Sequence, residues 1–304
     1  MRELKGLDEG KLLFYDIETA PVVKELQVGT PLFDAWAYKV AKDGVTDNDE
    51  VIKSFSEQAG LYPEFARVVC IVVGKVIKGK INLITFENKD EKVLLEKFND
   101  VVSRNSSSKL VGFVNIGFDS PFIFKRMLLN GIQPHDKIDS SGLKPWEVEE
   151  VDLSKLWQAT SFSRASLTAV CNAFGLPTPK DDLSGSEVGK TYWSSDQDTS
   201  RISKYCRKDV VATINVFKKM RLEEPLEVSG GETVEVETPI LTHLFEGGDY
   251  GAKEQKKLKG LLDTLTNEER EKAFVLLTAV SSTAKGKKTK ITKAHIKTLI
   301  KDYE

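Results

Sequence analysis

Four acidic side chains and one tyrosine, spread over three short segments, are the residues with the means to do chemistry. The first segment is Asp16-Ile17-Glu18-Thr19, which ends the apolar run from Lys11. Residues two apart on a strand share a face, so Asp16 and Glu18 can reach a common ligand. Two carboxylates pressed together repel each other, and a divalent cation between them relieves the repulsion. Taken alone, such a pair reads as a solvated strand end. The second segment, Leu110 to Phe122, carries Asn115, Gly117, Phe118 and Asp119 at a strand-to-helix turn, where Asp119 is either a ligand or a helix cap. The third is Tyr205-Cys206-Arg207-Lys208-Asp209. Its phenol and carboxylate are four residues apart, so they lie one turn apart on one helical face, as a functional pair or as a boundary contact.

The elements that must position these residues follow from apolar periodicity. Lys11 to Asp16 predicts a buried strand, and Val68 to Val76 with Ile81 to Phe86 predicts two more, joined by a hairpin turn at Lys78-Gly79-Lys80. A helix is expected from Glu91 to Val102, a loop at Ser106 to Ser108 and a fourth strand over Leu110 to Val114. Ser120 is read as the N-cap of a following helix with Pro121 at its first position, stopping at Asn130-Gly131. A short strand at Val151 to Leu153 and helices at Leu167 to Phe174 and Ile202 to Met220 complete the pattern. Three strands followed by strand and helix alternation make an α/β chain with a mixed sheet.

In this order and context, the three segments resemble the ExoI, ExoII and ExoIII motifs of the DEDD superfamily of 3′–5′ exonucleases. The Tyr205-x-x-x-Asp209 spacing is that of the tyrosine subclass, and Asp16 to Thr19 with Tyr205-Cys206 resembles the proofreading domain of family B DNA polymerases. The likeness covers roughly residues 10–220, including Leu167 to Pro177, and Leu183 to Val188 resembles the linker of stand-alone relatives of that domain. Asn115 and Phe118 are separated by two residues, as in bacterial proofreading subunits.

The resemblance implies a ribonuclease H-like mixed sheet flanked by helices and two divalent cations, Mg²⁺ or Mn²⁺. In that scheme Asp16 bridges both ions, Glu18 and Asp209 complete the first, and Asp119 holds the second. Tyr205 orients the attacking water. Thr19 and the backbone around Ala20 meet the 3′-terminal nucleotide, and Asn115 and Phe118 line the entry. Phe118 either stacks on a base or belongs to the core. The implied substrate is a single strand with a free 3′ end, DNA favoured over RNA, in replication, proofreading or repair. The alternatives are an exoribonuclease and a non-catalytic replisome adaptor, although all four carboxylates and Tyr205 are in place.

Composition narrows the remainder. With 44 Lys+Arg against 46 Asp+Glu, no global field marks a nucleic-acid or membrane binder, so any basic surface is local. His135, His243 and His295 are far apart and have no partners at zinc-ligand spacing. The charged N-terminus lacks a secretory apolar stretch, and Cys70, Cys171 and Cys206 read as buried thiols of a reduced compartment. A cytoplasmic protein is expected, in the host cytoplasm for a virus-encoded chain. The exonuclease domain is expected over residues 1–221. Residues 222–304 are expected to form an appendage, first a Glu-rich linker or hairpin and then helices, too small for a polymerase. Its last stretch, Ser281 to Glu304, holds seven lysines (285, 287, 288, 290, 293, 297 and 301). They form a solvated face, or a surface for phosphate backbone or a replication partner.

Overall fold

The structure, a computed structural model, describes residues 2–144, 146–178, 183–194 and 199–229. The helices expected after Ala252 and the lysines of Ser281 to Glu304 lie outside the described residues. After a helical turn α1 (Arg2–Lys5), the strand β1 (Leu12–Pro21) enters the centre of the fold. Residues 22–65 then leave the sheet and form α2 (Pro31–Val40) and α3 (Asn48–Gln58). The chain returns as β2 (Ala66–Ile77) and β3 (Lys80–Glu87), joined through Lys78 and Gly79, both at positive φ. Next come α4 (Glu91–Arg104), β4 (Lys109–Gly112), α5 (Asp119–Leu129), β5 (Val151–Asp152), α6 (Leu153–Gln158), α7 (Leu167–Phe174), α8 (Val188–Ser194) and α9 (Ser200–Met220).

The sheet order is β3-β2-β1-β4-β5. β2 runs antiparallel to both neighbours, while β1, β4 and β5 are parallel. This mixed sheet, with helices on both faces, is the ribonuclease H-like arrangement expected. One face buries Phe14, Val72 and Val111 against Val210, Ile214 and Phe217 of α9, and the other buries Leu13, Tyr15 and Ile17 against Leu94, Phe98 and Phe122 of α4 and α5. The helix α9 comes very close to the sheet at Gly74, where a Cβ would stand 2.7 Å from Val210 Cγ1 and 2.9 Å from Ile214 Cδ1. Glycine there is a packing requirement.

Three local readings change. The helices α2 and α3 were not expected, and they carry a separate apolar cluster of Leu26, Phe33, Trp36, Val40, Val51, Phe55 and Ala59. Ser120 is not an N-cap: α5 begins at Asp119, two residues before the expected first position at Pro121, and the Ser120 hydroxyl bonds sideways to Glu150. The chain past Arg221, expected to be an exposed linker or hairpin, stays beside the sheet as far as Ser229. It turns at Leu222 (φ 62°) and runs beside β3, with Ile81 N donating to Glu227 O at 2.9 Å and Ser229 N to Ile81 O at 2.8 Å.

Candidate functional site

Alternation along β1 decides which side chains meet. Tyr15 and Ile17 enter the core beneath α4 and α5, whereas Asp16 and Glu18 face α9 with Phe14 and Ala20. At Glu18 the pairing with β2 slips, from Glu18 opposite Cys70 to Thr19 opposite Val68, so Val69 has no partner. Such a bulge increases the local twist and re-aims side chains. The Cys206 thiol of α9 lies 3.4 Å from Asp16 Oδ2 and 3.5 Å from the Asp16 carbonyl oxygen. Ligand atoms of Asp16, Glu18 and Cys206 all lie within 4.8 Å of one another.

The other two acids join this pair. Asp119 and Asp209 both act electrostatically on Asp16 and on Glu18. Asp119 Oδ1 accepts the Ile17 N–H at 3.2 Å, which pins it directly to β1. Asp209 takes a hydrogen bond from Tyr205, its neighbour one turn back on α9. The structure therefore brings together all five residues singled out for catalysis.

The charge balance of the pocket is unfavourable without a cation. Burial, then the charges of Asp119, Asp209 and Glu18, push the Asp16 carboxyl well above the usual carboxylate range. Burial, then Asp209, does the same to Glu18. Asp119 is pushed up to about 7, chiefly by burial, against the lowering effect of the Ile17 N–H. The phenol of Tyr205 is raised by burial and by Asp209, Glu18 and Asp16, so it keeps its proton and acts as a donor. Carboxylate oxygens in this number and state suit a hard divalent ion, which would remove the repulsion.

The residues expected to meet substrate are placed less uniformly. Thr19 is partly exposed, and its hydroxyl donates to Gly60 O at 2.7 Å. The side chain of Ala20 is fully buried. Asn115 does not line an entry surface: it is fully buried, and its amide donates to Glu150. Phe118 is half-buried, with its ring 5.4 Å from Phe122 and packed on the core.

Two buried acids beside the site, Glu150 and Asp152, were not singled out from sequence. Glu150 Oε2 accepts from Tyr15 Oη at 3.0 Å and from Asn115 Nδ2 at 2.6 Å, and Oε1 accepts from Ser120 Oγ at 2.5 Å. Asp152 Oδ1 caps α6 through Ser154 N and also accepts Val114 N, both at 3.0 Å. Val114 sits at φ 73°, a left-handed conformation that costs a β-branched residue on the order of 1–3 kcal/mol. The turn is close-packed as well, since a Cβ on Gly112 would lie 2.5 Å from Asn115 Cβ. The only sequence signal for this arrangement is the pair of acids flanking Val151.

Residues 61–236, more than half of the chain, match the family described as predicted 3′–5′ exonucleases related to the exonuclease domain of PolB. The chain belongs to this family. The matched stretch contains Asp119, Tyr205 and Asp209 and begins beyond Asp16 and Glu18, so the pocket joins three acids or phenols of the family region to two from the preceding strand. No curated protein matches the sequence. Among solved structures, the family B DNA polymerase of the hyperthermophilic archaeon Pyrobaculum calidifontis is similar at 19% identity and a TM-score of 0.46. The likeness covers 69% of this chain and 24% of that one, so the chain spans about a quarter of the polymerase. Among the described residues, no helix is long and apolar enough to cross a membrane.

Proposed function

We propose that the chain is a metal-dependent 3′–5′ exonuclease that hydrolyses single-stranded or frayed DNA ends to nucleoside monophosphates. The observation that carries this reading is the convergence of Asp16, Glu18, Asp119 and Asp209, with Tyr205, in one pocket from three distant segments. Asp16 would be shared between two Mg²⁺ or Mn²⁺ ions, with Glu18 and Asp209 on one and Asp119 on the other. Bound there, such ions lower the pKa of a water and carry charge on the attacking and leaving oxygens.

The remaining work falls to the chain's own groups. The protonated phenol of Tyr205 donates its one O–H to Asp209 and holds the nucleophilic water by accepting from it. Asp119, tied to Ile17 N, stays in register with Asp16 across the pocket. Glu18, Asp119 and Asp209 are each less than a tenth exposed. A 3′ end must therefore leave its duplex to reach them, which favours single strands. A role in replication, proofreading or repair in the cytoplasm fits this chemistry.

Digestion of 3′- and 5′-labelled single-stranded DNA and RNA with Mg²⁺, Mn²⁺ or EDTA tests the reading. Shortening from the 3′ end, faster on DNA and abolished by EDTA, is expected. Metal-independent cleavage, or a ladder growing from the 5′ end, would sink it.

A further inference from the structure

We propose that Glu150, assisted by Asp152, is a positioning residue that holds Asp16 and Asp119 at the separation the metal ions require; this rests on the metal-dependent reading above. Glu150 acts on Asp119 through its charge, and its three hydrogen-bond donors lie beside two of the four carboxylates. Tyr15 immediately precedes Asp16, Ser120 immediately follows Asp119, and Asn115 opens the turn that delivers Asp119. The Tyr15 and Ser120 hydroxyls also lie 2.5 Å from each other. One buried carboxylate thus ties the β1 ligand segment to the α5 ligand segment, one peptide away from each ligand.

The choice of side chain is specific. Three donors converge on two oxygens, so the site needs an acceptor at both positions; burial raises the Glu150 carboxyl, and the bonds from Ser120, Asn115 and Tyr15 favour its acceptor-only, ionised form. Gln keeps the shape but points an NH₂ group at donors on one side. Asp152 supplies the second half of the clamp by gripping Val114 N, the strained point of the same turn. Strained backbone persists only where its surroundings over-determine it. With the clamp loosened, Val114 has reason to relax and carry Asp119 away from Asp16.

The test is Mn²⁺ binding to the full chain without nucleic acid, read from the loss of the free-ion electron paramagnetic resonance signal. Thermal unfolding in EDTA is recorded in parallel. Glu150→Gln and Glu150→Ala should weaken Mn²⁺ binding roughly 10-fold or more, in the range seen when partners of metal ligands are removed. Val114→Gly added to Glu150→Ala should recover part of that affinity, because glycine rests at positive φ without pulling the turn away. A purely structural role for Glu150 predicts no such recovery. Ser120→Ala removes one donor and should lower affinity about threefold, which keeps the test open if neither Glu150 variant folds. Folded variants that bind Mn²⁺ as tightly as the parent would overturn the proposal alone. A parent protein that binds no Mn²⁺ would overturn the metal reading and this inference with it.

Discussion

Asp16 and Asp119 face one pocket from mounts of opposite kinds. Asp16 and Asp209 stand within a strand and a helix, and Glu18 stands on the same strand at its bulge. Asp119 stands at the first residue of α5, behind a turn whose shape depends on side chains from β5 and the residue before it. Ligands on strands and helices inherit their position from secondary structure and should fail only when the ligand itself is changed. A ligand on a clamped turn fails as well when residues thirty positions away are changed.

Removing a ligand is the severest way to probe the first mount. Asp16→Ala should cut turnover by more than about 100-fold while the protein stays folded, since on the proposed reading it removes the carboxylate that both ions would share. Steady-state hydrolysis alongside thermal unfolding checks this, and retention of a substantial rate would take Asp16 out of its bridging position. On α9 the contrast is finer. Asp209→Ala should approach the Asp16 loss, whereas Tyr205→Phe, which removes one hydrogen bond from a phenol that stays protonated, should cost about tenfold, close to 1.4 kcal/mol of barrier. Equal losses would mean that Tyr205 does more than orient water.

Proton linkage probes the second mount. In the metal-free protein the Asp119 carboxyl is raised from an ordinary 3.8 to about 7. The folded state therefore holds a proton that the unfolded chain has already released, and stability falls as pH rises from about 4 to about 7. Mn²⁺ should thus raise the unfolding temperature more at pH 8 than at pH 5, which calorimetry with and without the ion would measure. An equal or reversed increment would contradict the buried-acid account. The smallest effect is expected from Val114→Gly on its own. Relief of the left-handed strain, set against lost side-chain contacts, should change stability by no more than about 1 kcal/mol, in the stabilising direction. A clear drop in unfolding temperature would show that the turn is not strained in solution.

The same contrast explains what could be read from sequence. β1 and the β2–β3 hairpin are short runs rich in apolar residues, α7 and α9 follow the helical period, and α7 is further bracketed by Ser166 and Gly175, so both its ends fell where expected. Asp16 and Glu18 inherit their common face from strand alternation. Ser120 misled because a serine before proline has the form of a cap, while the partner that recruits its hydroxyl lies at Glu150, with no local pattern to announce it. Glu150 and Asp152 were illegible for that reason: isolated acids acquire meaning only when the fold brings donors to them. The helices α2 and α3 were missed although Thr30-Pro31 and Asp47 are good start signals. Their apolar residues pack around Trp36 and not onto the sheet, so no sheet-centred pattern calls for them.

That insertion is, in terms of chain topology, a detachable part. Its two ends are Pro21 and Ala66, paired neighbours on adjacent antiparallel strands, so residues 22–65 occupy the place of a hairpin loop. They carry a cluster of their own and touch the catalytic strand through the Thr19 hydroxyl on Gly60. A lineage could therefore lengthen, shorten or exchange this segment without re-registering β1 against β2. The carboxylates would stay in place while the wall beside Thr19 is rebuilt.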